Sequence, residues 1–169
     1  MKDILKYTKV NVKVTDKETD KTLFRGHNLF VTSGRIFIAE TFMGTISGNV
    51  INPTLFACDL GADAGTPVID DVDLISYIPT CSVGVTAGYP AALSGSPTGI
   101  HFRFSFVNGT GGDVTIKELG LFYRPDSASF PQRLTAPEVG TMLARIKTTL
   151  SSIVVGDTRT ITIDWKIIF

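Results

Sequence analysis

At 169 residues and a mean hydropathy of +0.22, the chain suits one domain of ordinary size that buries its own core without cysteine staples. Charged residues make up 19%, below the ~25% usual in globular proteins, which suits a subunit whose faces are covered by neighbours. Sixteen Lys and Arg balance sixteen Asp and Glu, so net charge exerts no global pull toward nucleic acid or acidic membranes.

Taken in chain order, residues 9–15 (KVNVKVT) put Val10, Val12 and Val14 on one side and Lys9, Asn11, Lys13 and Thr15 on the other, the period of a half-buried strand. The polar residues 16–20 reverse the chain, and residues 22–24 return alongside as a hairpin. The lysine spacing also suits a helix face, but Val and Thr favour strands. Ser33 stands as an N-cap before residues 35–43, where Ile36, Ala39, Phe42 and Met43 fall at helical spacing and Gly44 follows as a C-cap. This is the one short helix the pattern predicts.

Residues 45–98 are rich in Gly, Pro, Ser and Thr, and their short apolar pieces at 55–60, 74–78 and 82–85 predict strands joined by long loops. Ile100, Phe102, Phe104 and Phe106 then alternate with His101, Arg103 and Ser105, a strand with an aromatic inner face. Residues 108–113 (NGTGGD) reverse it, because Asn and Gly tolerate positive φ. Val114 and Ile116 begin a returning strand that continues from Leu119 to Tyr123, and a polar loop follows at 125–137. Met142, Ala144, Ile146 and Thr148 next alternate with Leu143, Arg145 and Lys147. After a turn at Gly156-Asp157, the last strand puts Ile161, Ile163, Trp165, Ile167 and Phe169 opposite Thr162, Asp164, Lys166 and Ile168. Many short strands and one helix predict an all-β fold, an antiparallel sandwich or jelly roll. A single domain covers residues 1–169, with 1–25 as an N-terminal hairpin or arm and 26–169 as the core.

Charge is unevenly spread. Seven basic residues lie in the first 25 positions, whereas the stretch between Arg35 and Arg103 has none and holds Glu40, Asp59, Asp63, Asp70, Asp71 and Asp73. A basic end and an acidic middle either attract each other between subunits or form solvated faces of one monomer. Cys58 and Cys81 lack any metal or redox spacing and read as reduced core thiols. No early apolar run resembles a secretion signal and none reaches the ~20 residues that cross a bilayer, so the expectation is a chain made and kept in a cytoplasm.

Candidate chemistry is sparse. The two histidines, His27 and His101, have no acid or cysteine in ligand spacing nearby. His101 reads as a surface or interface residue, and His27 as a hydrogen-bonding residue near a strand end. Asp70, Asp71 and Asp73, with Asp59 or Asp63, carry oxygens for a cation but lack a regular binding-loop spacing, so a solvated acidic loop is the favoured reading. Trp165 sits in an apolar alternation that points to core packing rather than sugar stacking. No catalytic residue and no cofactor is expected.

Several pieces share an order with known proteins: Asp59-Leu60-Gly61 up to Leu74, the run Ile116 to Phe122 (IKELGLF), Leu143-Ala144-Arg145, and Ile163 to Ile167 (IDWKI). In this order they resemble the small structural proteins of tailed phages, over positions 26 to 169. The resemblance implies a non-enzymatic virion protein, homo-oligomeric in the tail, neck or fibre region and partnered by itself and other virion proteins, without nucleic acid or membrane. A capsid decoration protein is the alternative within that class. A carbohydrate-binding adhesin, with Tyr77, Tyr89, Phe130 and Trp165 lining a groove, is the alternative outside it. Glu118, Gly120, Leu121, Phe122, Arg145 and Trp165 are the residues expected to shape the fold or a subunit contact. Long loops at 82–98 and 125–137 depart from the pattern.

Overall fold

The computed structural model describes residues 9–43, 53–63, 65–93, 99–124, 140–147 and 153–168. Among these the chain forms an all-β antiparallel sandwich with one α-helix. The strands are β1 (Lys9–Asp16), β2 (Thr22–Phe30), β3 (Phe56–Gly61), β4 (Tyr77–Gly84), β5 (Ala91–Leu93), β6 (Gly99–Val107), β7 (Val114–Ile116), β8 (Glu118–Tyr123), β9 (Thr141–Lys147), β10 (Ile153–Val155) and β11 (Thr160–Ile168). The helix, α1 (Thr32–Met43), follows β2 directly.

Nine strands join in the order β4-β3-β8-β9-β2-β1-β11-β6-β5, and β2 is where this ribbon turns the corner. Its first part pairs with β1, from Thr22 opposite Thr15 to Asn28 opposite Val10, while Leu29 and Phe30 pair with Arg145 and Ala144 of β9. The result is a first sheet, β2-β1-β11-β6-β5, facing a second, β4-β3-β8-β9-β2. Beyond β4 the two sheets touch again. Val85 bridges to Phe104, and the Thr86 N–H donates to the Arg103 carbonyl at 2.8 Å.

Alternation fills the space between. Val10, Val12 and Val14, Phe102, Phe104 and Phe106, and Ile161, Ile163, Trp165 and Ile167 project inward from the first sheet and meet Cys58, Leu60, Leu119, Leu121 and Ile146 from the second. Phe56 and Phe102 pack across the gap with ring centroids 4.8 Å apart, in the tilted geometry aromatic pairs prefer. Strands β7 and β10 pair separately and add Val114, Ile116, Ile153 and Val155 to the same core.

Several expectations need correction. Residues 1–25 were expected to add a hairpin outside the core, but β1 lies mid-sheet, paired along its length with β11 on one side and β2 on the other. Its three valines are 0–2% exposed, because a strand flanked on both edges and covered on one face is core by construction. The hairpin also returns further than residue 24, to Phe30. Ser33 does not cap α1; it lies inside the helix and its hydroxyl donates to the Met142 carbonyl at 2.7 Å. The apolar pieces at 74–78 and 82–85 contribute to one strand, β4, while Leu74 packs elsewhere, against Val31, Phe122 and Met142. The strand expected from 114 to 123 breaks at Lys117, since β7 pairs with β10 and β8 with β3 and β9.

Strand β10 and, within the expected 82–98 loop, β5 carry too few residues to register as a period. Gly44 and residues 125–137 lie outside the described residues. The 108–113 reversal is present, and Gly111 adopts φ +84°, a conformation that favours glycine. Asn108 secures it from inside, donating from Nδ2 to the carbonyls of Gly112 (2.7 Å) and Val155 (2.8 Å).

The central place of β1 has a direct test. A chain shortened to start at Lys21, which keeps β2 whole, is expected to lose its cooperative urea transition, because β2 and β11 each lose their partner along β1. Retention of a wild-type transition would show the segment to be an appendage after all.

Candidate functional site

The outward side of the first sheet is polar, for the same alternation that makes its inner side apolar. Strand register assembles two rows across four strands. In one, Arg25 stands opposite Lys13, Lys13 opposite Asp164, and Asp164 opposite Arg103. In the next, His27 stands opposite Asn11, Asn11 opposite Lys166, and Lys166 opposite His101. Together they line a shallow trough of about 690 Å³, floored beside Arg25 and His27 by Gly26.

Four permanent cations and two imidazoles thus surround a single lining carboxylate, Asp164. Asp164 is committed inside the wall: His101 Nε2 lies 2.7 Å and Arg103 Nε 2.8 Å from the same Oδ1. Burial pushes its carboxyl up, but the hydrogen bonds from Arg103 and His101 prevail and hold it below the ordinary range. Tyr89 closes this end, with the Arg103 guanidinium 5.2 Å from its ring centroid and the His101 ring edge-on at 4.9 Å. At the other end His27 Nδ1 and Asn11 Oδ1 are 2.6 Å apart. His27 therefore bonds across the strand pair rather than at a strand end, and His101 faces the trough. Chemically the arrangement can take up anionic groups, since four cations line it against one carboxylate that Arg103 and His101 already engage.

The second sheet differs, because its outward side is covered. Residues 65–76 cross it, and Leu74 packs there on Phe122, Met142 and Val31. Beneath them Arg145, 0% exposed, donates from Nε (2.9 Å) and Nη2 (2.7 Å) to Glu118 Oε2, and from Nη1 to Asp71 (2.7 Å). Glu118 in turn accepts the backbone N–H of Ser76 at 2.8 Å. A second buried set joins Arg124, Asp59 and Ser82, with Arg124 Nη1 3.1 Å from both Asp59 Oδ1 and Ser82 Oγ. Burial pushes the Asp59 carboxyl up despite Arg124.

All six residues expected to shape the fold or a subunit contact are buried within the chain. Glu118, Leu121, Arg145 and Trp165 are fully buried and Phe122 nearly so. Gly120 lies opposite Asp59 and Arg145, and a Cβ there would stand 2.5 Å from the Phe122 ring and 3.0 Å from Leu74. Leu121 and Trp165 belong to the main core.

The acidic residues do not converge on an ion. Asp59 faces Arg124, Asp70 accepts the Thr32 hydroxyl at 3.1 Å, Asp71 binds Arg145, and Asp73 takes the Leu74 N–H at 2.7 Å. Among the described residues no three His, Cys, Asp or Glu are grouped to hold a metal. Cys58 and Cys81 are buried and not joined in a disulfide, and burial pushes the Cys58 thiol well up, away from thiolate chemistry. The aromatic groove of an adhesin is not formed from the expected residues: Trp165 is interior, Tyr77 packs beside Leu74 and Tyr89 sits at the trough. Phe130 lies outside the described residues.

Neither a family model, nor a curated protein, nor a solved structure matches this chain.

The trough was not legible as a site because each strand supplies only two of its outward side chains. The signal was present as outward-phase charges in KVNVKV, HFRFS and IDWKI, but joining them required the register.

Two outcomes are expected. Arg145→Met leaves the Glu118 carboxylate buried without its partner and costs about 3–5 kcal/mol in urea unfolding, while adding Glu118→Leu costs less than the sum of both singles. For pH, the Thr19 backbone N–H and Arg159 lower Asp16 from 3.8 to about 2. A depressed folded-state value stabilises the fold above the ordinary pKa and loses that contribution on acidification. Thermal unfolding midpoints are therefore expected to fall between pH 3.8 and about 2, less steeply in Asp16→Asn. An equal slope in the variant would remove Asp16 from the account.

Proposed function

We propose that this chain is a non-enzymatic structural protein of a tailed-phage particle, acting as a homo-oligomer in the tail, neck or fibre region. The observation that carries this reading is where the shared sequence pieces fall. Asp59-Leu60-Gly61 is on β3, Glu118 to Phe122 on β8, Leu143-Ala144-Arg145 on β9 and Ile163 to Ile167 on β11. The first three strands are neighbours, and their outward side carries the Glu118–Arg145 pair and the close approach at Gly120. Residues of this kind specify a scaffold, and a scaffold whose outer surfaces are left to contact partners suits an assembling protein.

A second feature agrees. Among the described residues, five of the seven exposed large apolar side chains are Ile36, Val68, Ile69, Val72 and Ile75, on α1 and residues 65–76. The Thr32 N–H bonds the Ile69 carbonyl at 2.7 Å, so these two segments form one surface. Exposed apolar groups gathered on one side mark contact surfaces.

Light scattering of the purified chain is expected to give a defined multiple of 18.2 kDa, and antibodies to it are expected to label particles at the tail, neck or fibre. Label spread over the capsid would point to a decoration protein. A monomer that binds a glycan array would replace the structural reading by an adhesin.

A further inference from the structure

We propose that copies of this chain join head to tail, with the acidic, apolar-tipped segment 65–76 of one copy seated in the cationic trough of the next. This inference rests on the homo-oligomer reading above and names the two surfaces that meet.

The two surfaces are complementary in charge. The trough presents Lys13, Arg25, Arg103 and Lys166 against the one committed carboxylate of Asp164. The segment contains no Lys or Arg, and its Asp70 and Asp73 are exposed. Asp71 is occupied by Arg145 beneath it, so the two exposed carboxylates carry the charge it offers to a partner. Val72, 71% exposed, stands between Asp71 and Asp73, with Val68 and Ile75 to either side in sequence. The trough can receive such a tip, because Lys and Arg lay long apolar stems along the sheet while their charged heads stay at the rim.

Charge also selects the geometry. A two-fold contact of the apolar surface with itself would bring Asp70 and Asp73 against their own copies, and like charges facing each other are costly. Seating that surface on the trough replaces repulsion with attraction. The segment covers the outward side of the second sheet and the trough lies on the outward side of the first, so they are on opposite faces of the sandwich. A contact between opposite faces is heterologous, and repeated heterologous contacts close into rings or extend into stacks.

The experiment is a charge swap read by light scattering, with circular dichroism confirming folding. Arg25→Glu with Lys166→Glu, and separately Asp70→Lys with Asp73→Lys, are each expected to be monomeric at concentrations where the wild type assembles. Mixed in equal amounts they are expected to reassemble, because each supplies the charge the other's altered surface now needs. Wild-type oligomers are expected to weaken by about tenfold or more in affinity as salt rises from low to molar, where the Debye length shrinks to ~3 Å. A chain carrying Lys166→Cys and Asp73→Cys is expected to form disulfide-linked ladders, a readout that does not depend on the reversals folding.

Oligomers that survive both reversals and yield no ladder would overturn this contact and leave the homo-oligomer reading standing. A wild-type chain that stays at 18.2 kDa throughout would overturn both. Binding of a short single-stranded DNA to the trough with no effect of Asp70→Lys and Asp73→Lys on mass would assign the cations to another partner and overturn the proposal.

Discussion

Arg145 is a guanidinium held entirely out of water, and it survives there because Glu118 and Asp71 take up three of its N–H groups. That arrangement does more than neutralise a charge. Glu118 belongs to β8 and Asp71 to the segment crossing the second sheet, so one side chain of β9 ties a neighbouring strand and the covering segment together. Glu118 extends the tie to the Ser76 N–H. The exposed apolar surface of residues 65–76 exists in a defined place because of this buried anchorage.

The two sides of the sandwich are used differently as a result. On the first sheet, solvent reaches the outward side chains, and the alternation leaves a charged, open trough. On the second, the covering segment shuts solvent out, and the buried charges there are paired: Arg145 with Glu118 and Asp71, and Arg124, whose Nε finds no acceptor, with Asp59 and Ser82. Buried charge is tolerated when it is paired and hydrogen-bonded, and incomplete sets are costly. One face is thus built by exclusion of water and the other by contact with it, and the proposed assembly joins one kind to the other.

The N-terminal hairpin shows how local reading reaches a limit. The Val10, Val12, Val14 alternation identifies the strand correctly, and nothing local says whether such a strand is an edge or a centre. Its position follows from pairing with β11, more than a hundred residues away in the chain. The misplaced helix cap has a similar cause. Ser33 is a good cap by type, but its hydroxyl finds the Met142 carbonyl, a partner that exists only once α1 lies against β9.

What the amino-acid sequence determined by itself is the class of structure and the inner face of each long strand, because a period of two is a local property of a few residues in a row. Val10 to Val14, Phe102 to Phe106 and Ile161 to Ile167 all face the core as their alternation requires. The tertiary structure alone decided which strands are neighbours, and with that the trough of Lys13, Arg25, Arg103 and Lys166 and the buried fate of Glu118 and Arg145. Both depend on register and on covering segments that bring distant residues side by side, and no local period encodes such long-range pairing.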